Sequence, residues 1–150
     1  MGHTFSNLLS HVVFSTKDRR NMLYADLRTQ LFPYMRGIAN KEGATVFAIN
    51  GIEDHVHVLV KLKPALAPSD FARIIKCNSS NWIHETFVNL KDFAWQSGFS
   101  AFSVSESVAP VVVEYIEKQE VHHHRMSFAE ELRILLSKHG IEFDPEHYLD

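Results

Sequence analysis

Apolar and polar positions along the chain repeat with two periods, and the order in which those periods switch predicts the architecture. His11-Val12-Val13-Phe14-Ser15 reads as a short strand, followed by the polar turn Lys17-Asp18-Arg19-Arg20-Asn21. Over 26–41, Leu27, Leu31, Tyr34 or Met35, and Ile38 recur at helical spacing. Pro33 lies inside that stretch, so the helix is expected either to kink there or to start late. Gly43 ends it. Residues 45–50 form a second strand, 51–54 a hairpin loop and 55–62 the return strand. Pro64 and Pro68 mark a loop, and Ser69 is the expected N-cap of a helix carrying Phe71, Ile74, Ile75, Trp82 and Ile83.

After Gly98 comes a fourth strand, 99–105, then a helix over about 108–121 with Pro110 in its first turn. A last helix opens at Ser127 with Glu130 three residues on, a capping box, and closes at Gly140. The order strand, helix, strand, strand, helix, strand is the split βαβ pattern. It predicts an α+β, ferredoxin-like (RRM-like) antiparallel sheet with two helices on one face and the other face free. A single domain over 1–150 is expected, with a core over about 8–126 and a C-terminal helix and tail over 127–150.

Composition narrows the class. The 150 residues are 45% hydrophobic and 22% charged, enough to build a core and too mixed for a disordered chain. One cysteine, Cys77, excludes an internal disulfide and a Cys-based zinc ribbon, and it reads as a small buried hydrophobe. No run is long and apolar enough for a bilayer span, and the first residues lack the basic-then-apolar pattern of a signal peptide. The expected location is the cytoplasm. A net charge of −3 argues against a non-specific nucleic-acid coat, but not against an enzyme that gathers positive charge locally.

Ten histidines are what remains to explain. On the strand 55–62, Val56, Val58, Val60 and Leu62 share a core face, which puts His55 and His57 together on the other. Their Cα atoms are then about 7 Å apart, a spacing at which two imidazoles converge on one metal ion. Chance alone supplies about 0.7 His-x-His patterns at this histidine content, so two ligand-free strand histidines stand as the alternative. Farther on, Tyr115 and Gln119 are four apart and share one helix face, offering a hydroxyl nucleophile and a hard carbonyl oxygen. An amphipathic helix with a core-edge tyrosine and a solvated glutamine fits that spacing as well.

Together these motifs resemble a known family. His55-Val56-His57 followed by Tyr115-x-x-x-Gln119 is similar to the single-tyrosine HUH transposases of bacterial insertion sequences, the small transposase A of the IS-two-hundred-like group. The similarity extends through Val13-Phe14-Ser15-Thr16-Lys17-x-Arg19-Arg20, Asp54-His55-Val56-His57-Val58-Leu59-Val60 and Lys76-x-Asn78-Ser79-Ser80-x-Trp82-Ile83. It continues in Phe93-x-Trp95-Gln96-x-Gly98-Phe99, Phe102-Ser103-Val104-Ser105 and Tyr115-Ile116-x-x-Gln119-Glu120-x-His122-His123. The resemblance implies a ferredoxin-like enzyme that cuts and rejoins single-stranded DNA with hairpins near the element ends. It also implies a homodimer and Mg²⁺ or Mn²⁺, with His55, His57 and Gln119 as metal ligands and Tyr115 as nucleophile. A tyrosine nucleophile keeps the phosphodiester energy in a 5′-phosphotyrosine, so it suits rejoining rather than degradation.

Asp54 is placed to orient an imidazole from behind, or simply to close the hairpin loop. Lys17, Arg19, Arg20, Lys61, Arg73 and Lys76, with Lys63, are candidates for a local DNA-binding surface, as are His122 and His123. Trp82, Trp95 and Phe99 are candidates for base stacking, with burial in the core as the alternative. The rival functions are a domesticated hairpin-DNA-binding relative that no longer transposes, a water-using metal-dependent nuclease, and a plain interaction domain.

Overall fold

Strand β1, Leu8–Ser15, runs through the middle of the sheet, paired antiparallel with β3, His55–Leu62, on one side and β4, Ser100–Val104, on the other. β2, Thr45–Gly51, closes the far edge, giving the order β2-β3-β1-β4 expected of the split βαβ pattern. The computed structural model describes residues 2–150.

The first sheet face is the apolar one. Val12 and Phe14 of β1 and Val56, Val58, Val60 and Leu62 of β3 form one core with helix α1, Ala25–Lys41, and helix α2, Pro68–Thr86. Leu27, Leu31 and Met35 of α1 and Phe71, Ile75 and Ile83 of α2 point into it. α1 starts at Ala25 and continues through Pro33, which lies on its exposed face. α2 begins earlier than Ser69 predicted. Pro68 occupies the first turn, where a missing N–H costs nothing, and Ala67 is the N-cap.

The second face is not free. The expected helix over 108–121 breaks at Lys118 into α3, Ala109–Glu117, and α4, Gln119–His123, and α5, Phe128–Lys138, follows. α3 lies over Leu9, Ala48 and Leu59 through Ile116, while α5 lies over Val13 and Phe102 through Phe128, Leu132, Leu135 and Leu136. Each such side chain contributes about 1.5–3 kcal/mol on full burial, enough to hold a short helix that could not persist alone. α5 starts as its capping box predicts, with Ser127 Oγ accepting from the Glu130 N–H at 3.2 Å.

A β-bulge at Phe47 sets what β2 offers to this face. Val46 pairs with Val60 but Ala48 pairs with Leu59, so the alternation reverses across the bulge. Ala48 and Asn50 thereby turn to the second face, Asn50 opposite His57. Asn50 Nδ2 donates to the Ile116 and Glu117 carbonyls, both at 3.1 Å, and so holds the C-terminal end of α3. No helix of the described residues is long and apolar enough to cross a membrane.

Candidate active site

Between the two apolar clusters of the second face lies a polar one. His55 and His57 are fully buried there, not displayed on an open sheet. The hairpin that delivers them turns tightly at Gly51, where a Cβ would lie 2.1 Å from the His55 carbonyl oxygen, so only glycine fits. His55 Nδ1–H donates to Asp54 Oδ1 at 2.7 Å, fixing the ring so that Nε2 faces inward. His57 Nδ1 is 2.8 Å from His11 Nε2, which comes from β1.

α3 and α4 bring the next donors. Gln119 is completely buried and sets Oε1 3.1 Å from His55 Nε2. His123, one turn on, donates Nδ1–H to the Met126 carbonyl at 2.8 Å and presents Nε2 to Gln119 Oε1 at 3.1 Å. Tyr115 is half-buried, its ring 5.9 Å from that of His57 and 4.5 Å from that of His122.

α5 supplies the centre. Glu131 Oε1 lies 3.0 Å from His57 Nε2, 3.0 Å from His123 Nε2 and 3.2 Å from His55 Nε2. Its other oxygen, Oε2, accepts from the Tyr115 hydroxyl and from Gln119 Nε2 at 3.1 Å. Phe128, one turn earlier, stacks on His55 at 4.4 Å. His55, His57, His123 and Glu131 place their ligand atoms within 4.8 Å of one another, a His/Glu cluster able to hold a metal ion. The chemistry of the donors fits a cation. His55 and His123 each spend Nδ1–H on a fixed acceptor, so both rings aim Nε2 at the Gln119 and Glu131 oxygens. In that buried space the ring nitrogens and the oxygens they meet must share either protons or a cation.

Burial and charge shift these groups strongly. Burial lowers the His11 pKa to about 3, assisted by His57, so the ring is neutral. Burial acts the same way on His55, but the bonds to Asp54 and Glu131 outweigh it and raise the pKa to about 9. His57 is lowered, chiefly by burial. Burial pushes the Glu131 carboxyl up, yet the surrounding imidazoles hold it well below the usual carboxylate range. The Tyr115 hydroxyl is pushed above its ordinary value by burial and by the Glu131 charge.

The four-stranded antiparallel sheet with helices that carries this cluster is a fold that solved proteins share. Residues 4–119 match the family described as Transposase IS200 like. The chain belongs to the IS200-like transposase family. The transposase for insertion sequence element IS200 of Salmonella typhimurium is 27% identical over 125 residues, covering 79% of this chain and 81% of that protein. The ISDra2 transposase TnpA of Deinococcus radiodurans is 27% identical over 114 residues, covering 73% and 81%. A solved transposase structure from Deinococcus radiodurans superposes with a TM-score of 0.66 at 26% identity, over 79% of this chain and 96% of that one. A REP-associated tyrosine transposase, solved bound to a REP hairpin, shares the fold with a TM-score of 0.61 at 18% identity, over 82% and 72%.

In this IS200-like transposase the matched segment stops at Gln119, so His123 and Glu131 lie beyond it. Sequence reasoning grouped His123 with DNA-contacting residues, whereas the structure turns it into the buried cluster. Glu131 and His11 were not singled out at all. The capping box predicted the start of α5 but not which sheet face it would meet, and His11 needed the β1–β3 register, which pairs His11 with Leu59 on the histidine face.

The cationic candidates are dispersed. Arg73 and Lys76 line a cleft of about 570 Å³ with Asn81, Gln96 and Phe99. Lys76 Nζ there donates to the Gly98 carbonyl at 2.9 Å and is half-buried, which lowers its pKa. The Thr16–Arg20 turn borders the same wall, because the Lys17 N–H donates to the Ala94 carbonyl at 2.9 Å. Lys17 is exposed, Arg19 Nη1 reaches the Leu149 carbonyl at 3.4 Å, and Arg20 pairs with Asp92 at 3.2 Å. Lys61 sits over the Phe47 ring at the opposite sheet edge, and His122 stays with Tyr115. Trp95 is buried, its Nε1–H donating to Ser79 Oγ at 3.0 Å, while Trp82 stacks on Tyr34 and Phe99 is partly exposed. Cys77, expected in the core, is exposed on the outer side of α2.

Proposed function

We propose that this transposase cleaves and rejoins single-stranded DNA at insertion-sequence ends through a 5′-phosphotyrosine on Tyr115. One observation carries the reading: the Tyr115 hydroxyl and the three histidine Nε2 atoms meet the two oxygens of one carboxylate. The nucleophile therefore stands beside the histidine centre within a single chain.

His55, His57 and Gln119 are the proposed metal ligands, with His123 close enough to join them. Bound there, Mg²⁺ or Mn²⁺ would supply Lewis-acid neutralisation of the scissile phosphate, and imidazole donors favour Mn²⁺ over Mg²⁺. Asp54 and His11 act from behind, holding the His55 and His57 rings in orientation. Tyr115 Oη attacks phosphorus, the P–O3′ bond breaks, and the 3′-oxygen leaves as a hydroxyl. In the reverse step a 3′-hydroxyl of another strand attacks the phosphotyrosine and gives up its proton, the P–Oη bond breaks, and Tyr115 is released as the hydroxyl with no external energy source.

Arg73 and Lys76, which line one cleft, and Lys17, Arg19 and Arg20, whose turn is bonded to Ala94 on the cleft wall, are the proposed DNA-contacting residues for a strand carrying a hairpin. Exposed Val108 and Val111, which line one cleft with Tyr115, support a homodimer interface. Residues 1–150 form the working unit, because α5 reaches into the site. The cytoplasm, where element DNA is found, is the proposed location.

The test is a suicide oligonucleotide from the element end, incubated with wild-type protein or Tyr115→Phe in Mn²⁺ or EDTA. The expected result is an SDS-resistant protein–DNA adduct that needs both Tyr115 and metal. Cleavage without an adduct, surviving Tyr115→Phe, would instead establish a water-using nuclease. Tight hairpin binding without cleavage would establish a domesticated binder.

A further inference from the structure

Glu131 lies beyond residues 4–119, the segment that matches the family, yet it contacts both halves of the site. It is 1% exposed, and α5 is pinned on either side of it by Phe128 and Leu132. A purely structural ion pair needs one cationic partner. Here three ring nitrogens crowd within 3.2 Å of Oε1, which has lone pairs for two of them. Oε2 meanwhile takes the Tyr115 hydroxyl and the Gln119 amide. A shared cation suits the Oε1 side better than three separate hydrogen bonds, and a fixed acceptor on the Oε2 side holds the tyrosine toward that centre.

We propose that Glu131 is a positioning residue that couples the nucleophile to the metal centre. Through Oε1 it adds a carboxylate oxygen to the donor set of His55, His57, Gln119 and His123, and through Oε2 it orients the Tyr115 hydroxyl. The proposal rests on the reading of Tyr115 as nucleophile, and it adds α5 to the machinery. A carboxylate there also lowers the net charge of a bound divalent ion, unlike a set of imidazoles and one amide.

The experiment compares wild type with Glu131→Gln and Glu131→Asp, each checked by thermal melting. Mn²⁺ affinity is measured by electron paramagnetic resonance without DNA, hairpin-DNA affinity by fluorescence anisotropy, and adduct formation at saturating Mn²⁺. The expected result is Mn²⁺ affinity lowered by about tenfold or more. Adduct formation at saturation should fall by about 100-fold, with DNA affinity within about twofold of wild type. A structural role alone would move the melting temperature and leave the Mn²⁺ affinity of the folded fraction unchanged. Mn²⁺ binding or saturated adduct rate within twofold of wild type in the folded variants overturns the proposal. If Glu131→Gln does not fold, the same two readouts on Glu131→Asp decide it. If the wild type binds Mn²⁺ but forms no adduct, the nucleophile reading fails and the coupling fails with it.

Discussion

Raising the pH of the metal-free protein should destabilise it in a window that belongs to one side chain. His55 has a pKa raised from 6.5 to about 9 in the fold. A folded-state pKa above the unfolded one gives stability that is complete below pH 6.5 and lost as the pH climbs through 9. At about 1.4 kcal/mol per pH unit, the shift is worth about 3 kcal/mol, a large part of the 5–15 kcal/mol that holds a typical domain. His11 works in the opposite sense. Its pKa is lowered to about 3, so its contribution is present above pH 6.5 and lost as the pH falls toward 3. The two limbs place the stability maximum near pH 6.5. Urea denaturation in EDTA measures it directly. With a slope of about 2 kcal/mol/M, the midpoint should fall by about 1.5 M between pH 6.5 and 9. Asp54→Asn removes one of the two carboxylates that hold the His55 proton, so its alkaline limb should be shallower. A midpoint flat from pH 6.5 to 9, or an alkaline limb identical in Asp54→Asn, would refute the reasoning.

Three further perturbations address the frame around the site. Gly51→Ala puts a Cβ against the His55 carbonyl oxygen and 3.0 Å from Val56 Cα, so backbone must move. The expected cost is about 1–3 kcal/mol in urea melts, with weakened Mn²⁺ binding, and a variant that binds Mn²⁺ like wild type would contradict the hairpin's role. Leu132→Ala removes an anchor of α5 that is 2% exposed. It should cost about 2–5 kcal/mol, and amide exchange should rise in α5 before it rises in α1. Mixing Tyr115→Phe chains with His57→Ala chains tests where the nucleophile acts. Because Tyr115 and His57 meet within one chain, the mixture should form no more adduct than either variant alone, and recovered adduct would show exchange of the tyrosine helix between subunits.

The sheet and its helices were legible because local signals agree with the global fold. Alternation in 55–62, the turn at Gly51 and the capping box at Ser127 each mark one element without reference to the others. His55, His57, Tyr115 and Gln119 were legible as candidates at strand and helix spacings and Asp54 as the neighbour of the histidine pair, but their roles came from the family resemblance. What the spacing could not carry was depth. His55 and His57 were placed on a free face, and it took α3 and α5 to bury them. Glu131 escaped because its surroundings read as an ordinary amphipathic helix, with a glutamate in the first turn where the helix dipole favours one. His11 escaped because a histidine in a buried strand has meaning only once the register sets it beside His57. The cationic residues are the reverse case: clustered in the sequence around 17–20, they separate in space into a terminal-segment contact, an ion pair and an exposed lysine.

The bulge at Phe47 has an evolutionary consequence. Because one extra residue inverts the parity of β2, every position from Ala48 to Gly51 depends on that residue being present. A single-codon deletion there would keep the hydrophobic composition of the strand almost unchanged. It would nonetheless rotate Asn50 away from the Ile116 and Glu117 carbonyls and release the end of the tyrosine helix. β2 should therefore drift freely in side-chain chemistry at exposed positions such as Thr45 while tolerating no change of length. In a lineage of diverging copies, indels in this edge strand should coincide with loss of Tyr115 or of the paired histidines, marking copies that have stopped moving.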